Sequence, residues 1–186
     1  LRIMACLCGD EHMVEAFRRG EDVHRATAAK IFGIPAEEVS SDQRRAAKTT
    51  NFGIMYGISS FGLAKNLGVG RKEAQTLIDE YYENFPSIVK FKEKTLADAR
   101  EKGYVETMFG RRRYLPDINA SNAVVRSMAE RNAVNAPIQG TAADIIKLAM
   151  IAIDGRMEEE GMKSRMVLQI PDELVFEAAP AVVDRL

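Results

Sequence analysis

Apolar residues recur at helical spacing along most of the chain, and polar caps and glycines between them mark where each helix starts and stops. Asp10 precedes an amphipathic stretch that predicts a short helix through Arg19, and Asp22 precedes another through Phe32; Gly20 and Gly33 close them. Ser40 followed by Gln43 has capping-box spacing and predicts a helix running on to Gly57. Gly70–Asn84 and Ser87–Lys102 read as two further helices broken apart by Pro86. Ser121 opens a helical pattern that reaches about Met157, with Pro137 inside it as an expected kink. Two segments depart from this period. Tyr104–Phe109, Gly110 and the basic run Arg111–Tyr114 predict a hairpin or turn, and Arg165–Ile170 and Leu174–Ala178 predict two strands joined by Pro171, Asp172 and Glu173. The fold class is therefore α+β, mostly helical with a small antiparallel part.

Composition bounds this picture. The 186 residues are 46% hydrophobic and 28% charged, within the usual range for a folded chain of one domain or two small ones. No internal repeat, low-complexity tract or linker divides it. No uninterrupted apolar run approaches the roughly 18 residues of a membrane span and no leader opens the chain, so the expectation is a cytoplasmic protein with no membrane partner. Cys6 and Cys8 are too few for a disulfide framework and lack the second ligand pair of a zinc site, which suits thiols in a reducing compartment. His12 and His24 have no metal-ligand spacing, Gly68-Val69-Gly70 lacks the rest of a dinucleotide fingerprint, and no P-loop motif occurs. The chain opens on Leu1 without a cap and stops at Val182–Leu186 without a turn, which predicts a piece of a longer protein.

A net charge of -1 hides an uneven distribution. From Ser40 to Lys72 there are six basic residues against one acid, whereas from Asp154 to Leu186 there are four against eight. The first segment suits phosphates and the second suits cations, although ordinary solvated faces look the same by charge alone.

Three constellations carry candidate chemistry. Arg44, Lys48, Phe52 and Tyr56 recur every four residues, so each step drifts only about 40° and the four form one stripe about 18 Å long. Two cations followed by two aromatics would match a nucleotide lengthwise, phosphates on Arg44 and Lys48, base and sugar near Phe52 and Tyr56. The same spacing also fits an amphipathic helix with core aromatics and solvated cations. At the second turn, the adjacent carboxylates of Asp172 and Glu173 repel each other and favour a bound cation, and hard oxygen donors select a magnesium-like ion. Strand neighbours face opposite ways, so Asp172 is the expected ligand of the two; a solvated acidic turn is the alternative. Arg131, Asn135 and Gln139, again four apart, form a polar row suited to base edges or sugars in a minor groove, or simply to solvent.

In combination and in this order, these motifs resemble the polymerase domain of bacterial A-family DNA polymerases, the polymerase I type, over essentially the whole chain. Arg44-Arg45-Ala46-Ala47-Lys48-Thr49-Thr50-Asn51-Phe52-Gly53-Ile54-Met55-Tyr56-Gly57 is similar to the family's motif B, the nucleotide-binding fingers helix. The resemblance implies that Arg44, Lys48 and His24 hold the triphosphate of a dNTP, that Lys48 can donate a proton to departing pyrophosphate, and that Tyr56 stacks near the templating position. It implies that phenylalanine at position 52 disfavours dideoxynucleotides relative to tyrosine, and that Arg131, Asn135 and Gln139 line the minor groove of primer–template DNA. Leu168-Gln169-Ile170-Pro171-Asp172-Glu173-Leu174 is similar to motif C, whose aspartate, here Asp172, binds two catalytic Mg2+ ions, with Glu173 beside it. Pro171 departs from the family's usual histidine and removes a backbone donor near the primer end. Leu1–Ala5 looks like the tail of motif A, whose bridging aspartate would lie upstream and is missing from this chain.

On the resemblance, residues 1–10 are palm, 11–118 fingers and 119–186 palm of a right-hand polymerase domain, an expected monomer. The expected reaction is nucleotidyl transfer from dNTP to a primer 3′-hydroxyl, nearly inactive in a chain with one bridging carboxylate absent. The rival expectations are a non-catalytic module that binds nucleotide or primer–template, and a helical interaction domain without either activity.

Overall fold

Side-chain caps start five helices. Asp10, Asp22, Ser40, Ser59 and Asn122 each accept a hydrogen bond from a first-turn backbone N–H, satisfying donors that have no partner inside the helix. The computed structural model describes residues 1–185, the side chains of His12, Asp184 and Arg185 apart. Its elements run α1 (Arg2–Cys8), α2 (Glu11–Arg18), α3 (Val23–Phe32), α4 (Ser41–Met55), α5 (Ser60–Leu67), α6 (Arg71–Asn84), α7 (Pro86–Lys102), β1 (Tyr104–Glu106), β2 (Arg112–Tyr114), α8 (Ala123–Glu159), β3 (Arg165–Ile170) and β4 (Glu173–Glu177), with short 3-10 turns at Ala36–Glu38 and Pro180–Arg185. This is the expected α+β class.

Several boundaries differ from the sequence expectation. Helix α4 ends at Met55, so Tyr56 is its C-cap (φ −89°, ψ 8°) and Gly57 takes φ 79°, a left-handed turn that leads the chain away. Pro86 does not precede α7 but begins it, at the position where a missing N–H is harmless. Asn122 rather than Ser121 caps α8, which runs unbroken through Pro137. Helices α1 and α5 were not foreseen; Ser59 before the apolar Phe61, Leu63 and Leu67, with Gly68 behind, is the signal that marks α5.

The larger core joins α1, α2 and α4–α8 around the buried Met4, Met13, Ile54, Met55, Leu63, Ile88 and Ile138. Each such side chain contributes about 1.5–3 kcal/mol of burial. A second cluster under β1 holds Ala99, Val105, Leu115, Ile118 and Ala133, and a third seals α3 on α4 through Ala28, Val39 and Ala47. The back of α4 is thereby clamped while its front face stays open.

The antiparallel hairpin β1–β2 is tied onto α8. Met108 N–H donates to Thr141 Oγ1 (3.0 Å), and Arg111 donates to Asp144 Oδ1 (2.8 Å) and to the Gly140 carbonyl (3.0 Å). By length and composition α8 could cross a membrane, with an 18-residue window of mean hydropathy 1.3, yet it carries the ion-paired Asp144 and packs on α1, α7 and β1. Strands β3 and β4 pair antiparallel with an irregularity between Met166 and Leu168, and Val167, Leu168, Ile170 and Val175 remain exposed on them.

Candidate functional site

Four-residue spacing on α4 does place Arg44, Lys48 and Phe52 on one face, and Tyr56 stays with them from the cap. The Phe52 and Tyr56 rings stack at 6.1 Å between centroids with 22° between planes. From α3, His24 brings its ring to 5.8 Å from Phe52. Arg44 Nε donates to Asp22 Oδ2 at 2.6 Å, while Asp22 Oδ1 accepts from Arg25 N–H. One carboxylate therefore caps α3 and orients Arg44 through its Nε, and the Arg44 side chain stays 41% exposed. Lys48 is exposed.

Electrostatics follow from this clustering. The hydrogen bond from Arg44 holds the Asp22 carboxyl below its ordinary value, aided by Arg25 N–H and opposed by burial. Burial lowers the His24 pKa first, Arg44 second, with Lys48 and the Leu1 amino group adding and Asp22 opposing. Both shifts act in the same sense on stability. Asp22 contributes stability present above its unfolded value and lost as pH falls from there through its lower folded value. His24 contributes stability present above its unfolded value of about 6.5 and lost as pH falls below that, because the unfolded ring takes up a proton that the folded ring refuses. Urea denaturation between pH 7 and 5 is expected to show a fall that His24→Gln removes; an unchanged slope would contradict the shift.

The Arg44 and Asp22 side chains are 41% and 35% exposed, so the pair itself contributes little, below about 1 kcal/mol. Asp22→Asn keeps the cap and is expected to leave stability nearly unchanged, whereas Asp22→Ala loses the cap and about 1 kcal/mol. Urea midpoints of the two variants, compared with the parent chain, check this.

Helix α8 presents the second row. Burial raises the Tyr56 pKa, and the nearby Gln139 side chain on α8 opposes the rise. At the same seam, a Cβ on Gly57 would stand 3.9 Å from Arg131 Cγ. Arg131 is exposed and donates to Ser127 Oγ (3.3 Å), while the buried Asn135 Oδ1 has no hydrogen-bond partner among the described residues. Asn135 and Gln139 line a polar cleft of about 300 Å3 together with Arg111, Arg112 and Arg113 of the β1–β2 hairpin. Sequence reasoning treated those arginines only as a turn; three consecutive arginines after Gly110 were the available signal.

Asp172 sits in the β3–β4 turn, as expected, and is exposed. Glu173 does not belong to the turn: it is the first residue of β4 and pairs with Ile170. No group of three or more His, Cys, Asp or Glu able to hold a metal occurs among the described residues. Nor does any hydrogen bond or ion pair there join Asp172 or Glu173 to the α4 face. His12 lies outside the described side chains. Cys6 and Cys8 are both free, and burial pushes the Cys8 thiol up to about 12, which leaves it protonated and inert.

Known proteins resemble this chain over its whole length. The sequence profile described as DNA polymerase family A matches residues 1–186. DNA polymerase I of Pseudomonas aeruginosa is 54% identical over 186 residues, all of this chain and 20% of that protein. The thermostable DNA polymerase I of Thermus aquaticus is 51% identical over 178 residues, 96% of this chain and 21% of that protein. The chain thus spans about one fifth of the length of the curated relatives it matches. Among solved structures, the POL domain of Pol1 from M. smegmatis, in complex with DNA primer-template and dNTP, superposes with a TM-score of 0.92 at 43% identity, over 99% of this chain and 32% of that one.

Proposed function

The chain belongs to DNA polymerase family A, and on that premise we propose that it forms the nucleotide-selecting part of a template-directed DNA polymerase acting in a bacterial cytoplasm. In this reading residues 11–118 are the fingers, and residues 1–10 and 119–186 belong to the palm. The observation that carries it is the open α4 face, where two cations and two stacked aromatics are joined by His24 from α3 and by Gln139 from α8.

The reaction is attack of a primer 3′-hydroxyl on the α-phosphate of a dNTP, with pyrophosphate leaving. Arg44 and Lys48 neutralise and position the triphosphate, which is the greater part of phosphoryl-transfer catalysis. Lys48, exposed on α4, gives a proton to the departing pyrophosphate. Phe52 packs under the sugar, and Tyr56, with Gln139 beside it, closes the base end of the stripe. Arg131, Asn135 and Gln139 follow the minor groove of primer–template DNA, whose degenerate acceptors suit a check of shape rather than of sequence.

Family membership implies a divalent metal, which in such a site neutralises charge on the transferring phosphate. The residues present do not fit a two-ion site by themselves. Asp172 is one exposed carboxylate, and Glu173 leaves it in the pleat of β4. The same observation favours, as the second reading, a chain that binds nucleotide and primer–template without extending the primer.

Binding and extension assays separate the two. Anisotropy of a labelled primer–template is expected to show affinity that falls with salt and weakens for Arg131→Ala, with little extension in magnesium and dNTP. Extension near the rate of a complete polymerase would overturn the second reading. Salt-independent or absent DNA binding would overturn both.

A further inference from the structure

Behind the open face of α4 lies a hydrogen-bond relay whose polarity is decided by its members. Asn51, on α4, is 1% exposed. Its Nδ2 lies 3.0 Å from Thr27 Oγ1 and 3.1 Å from His24 Nδ1, both on α3. The Thr27 hydroxyl donates its single proton to the Val23 carbonyl at 2.8 Å, so toward Asn51 it can only accept. The amide nitrogen therefore faces Thr27 and His24 and gives one hydrogen to each. An amide nitrogen has no lone pair to offer, so His24 Nδ1 is the acceptor of the second.

The reverse orientation is worse on each count. With the amide turned over, both N–H donors would be buried without partners and Thr27 would have to abandon Val23. As the relay stands, one buried acceptor, Asn51 Oδ1, lacks a partner. An imidazolium would aim a second N–H at the amide N–H. The surroundings agree: burial, Arg44, Lys48 and the Leu1 amino group disfavour a charged ring, against Asp22 alone.

We propose that Asn51, pinned by Thr27, is a positioning residue that holds His24 as the neutral tautomer with its proton on Nε2, reserving that N–H as a donor to a phosphate oxygen. The last clause rests on the nucleotide-site reading above; the tautomer does not. Arg44 and Lys48 then supply the charge of the site, and His24 supplies a directional hydrogen bond that does not vanish as pH rises through the ordinary histidine range.

Long-range proton–nitrogen NMR of the 186-residue chain, labelled on its histidine nitrogens, reads the tautomer directly; His12→Gln identifies the two rings. At pH 7 the His24 ring should show an unprotonated Nδ1 and a protonated Nε2. An Nδ1–H tautomer or an imidazolium there would overturn the proposal. Thr27→Val, which keeps the shape and removes the acceptor, is expected to give an averaged tautomer and roughly fivefold weaker binding of magnesium tripolyphosphate, while Thr27→Ser retains the parent pattern. Asn51→Asp should instead draw a proton onto Nδ1 and raise the ring's titration. If Thr27→Val keeps both the Nε2–H signature and the affinity, the relay is not what positions His24. If tripolyphosphate binding ignores Lys48→Ala, the nucleotide-site reading fails instead, whatever the tautomer.

Discussion

Lys48→Ala is expected to weaken magnesium-dNTP binding to this chain by roughly 10- to 100-fold, the loss of one charge-assisted hydrogen bond to phosphate. Lys48 is exposed on the open face of α4 and lies one helical turn from Arg44. Arg44 has a companion prediction. Its Nε is taken by Asp22, so its remaining nitrogens must serve the phosphate from a fixed plane. Arg44→Lys keeps the charge but cannot hold Asp22 and present a fork together, and it is expected to cost nearly as much as Arg44→Ala. A fluorescent dNTP titrated at low and high salt measures both. Equal affinity of Lys48→Ala and the parent chain would remove the triphosphate from this face.

For stability, a large effect is expected at Gly140. It lies inside α8 where the β1–β2 turn presses closest, and a Cβ built there would stand 2.6 Å from Thr107 Cγ2 and 3.3 Å from an Arg111 guanidinium nitrogen. Thr107 cannot swing away cheaply, because its Oγ1 accepts from the N–H groups of Phe109 and Arg111 and so shapes the turn. Arg111 in turn donates to the Gly140 carbonyl and to Asp144. Gly140→Ala should therefore displace the hairpin and cost about 1–3 kcal/mol, despite alanine's better helix propensity. Thr107→Ser deletes the offending methyl and keeps the hydroxyl, so the double variant should recover most of the loss in urea or thermal denaturation. Failure of that rescue would mean that the hairpin is not held as described.

Much of the local structure was legible along the chain. Asp10, Asp22 and the Ser40/Gln43 box start α2, α3 and α4 as their side-chain chemistry requires, and the β3–β4 hairpin lies within a residue of its expected place. Caps and turns depend on neighbours within four residues, which is why they can be read from sequence. Helix α1 escaped because no side chain caps it; it is held by Met4 and Ala5 in the core, and burial of that kind is invisible to periodicity. Glu173 was misplaced for the opposite reason: strand pairing with Ile170 outweighed its kinship with Asp172 in a turn.

The site divides in the same way. Arg44, Lys48, Phe52 and Tyr56 share a face because a helix repeats every 3.6 residues, and this follows from order alone. Folding was needed to add the rest from distant positions: His24 against Phe52, Asp22 on Arg44, Gln139 on Tyr56, and Arg111–Arg113 across a cleft from Asn135. The motifs of this chain were enough to determine its family and the stripe that meets the nucleotide in our proposal. Which residues aim that stripe was decided only when α3, α4 and α8 packed together, because partners separated by tens of residues are chosen by burial and hydrogen-bond geometry rather than by spacing.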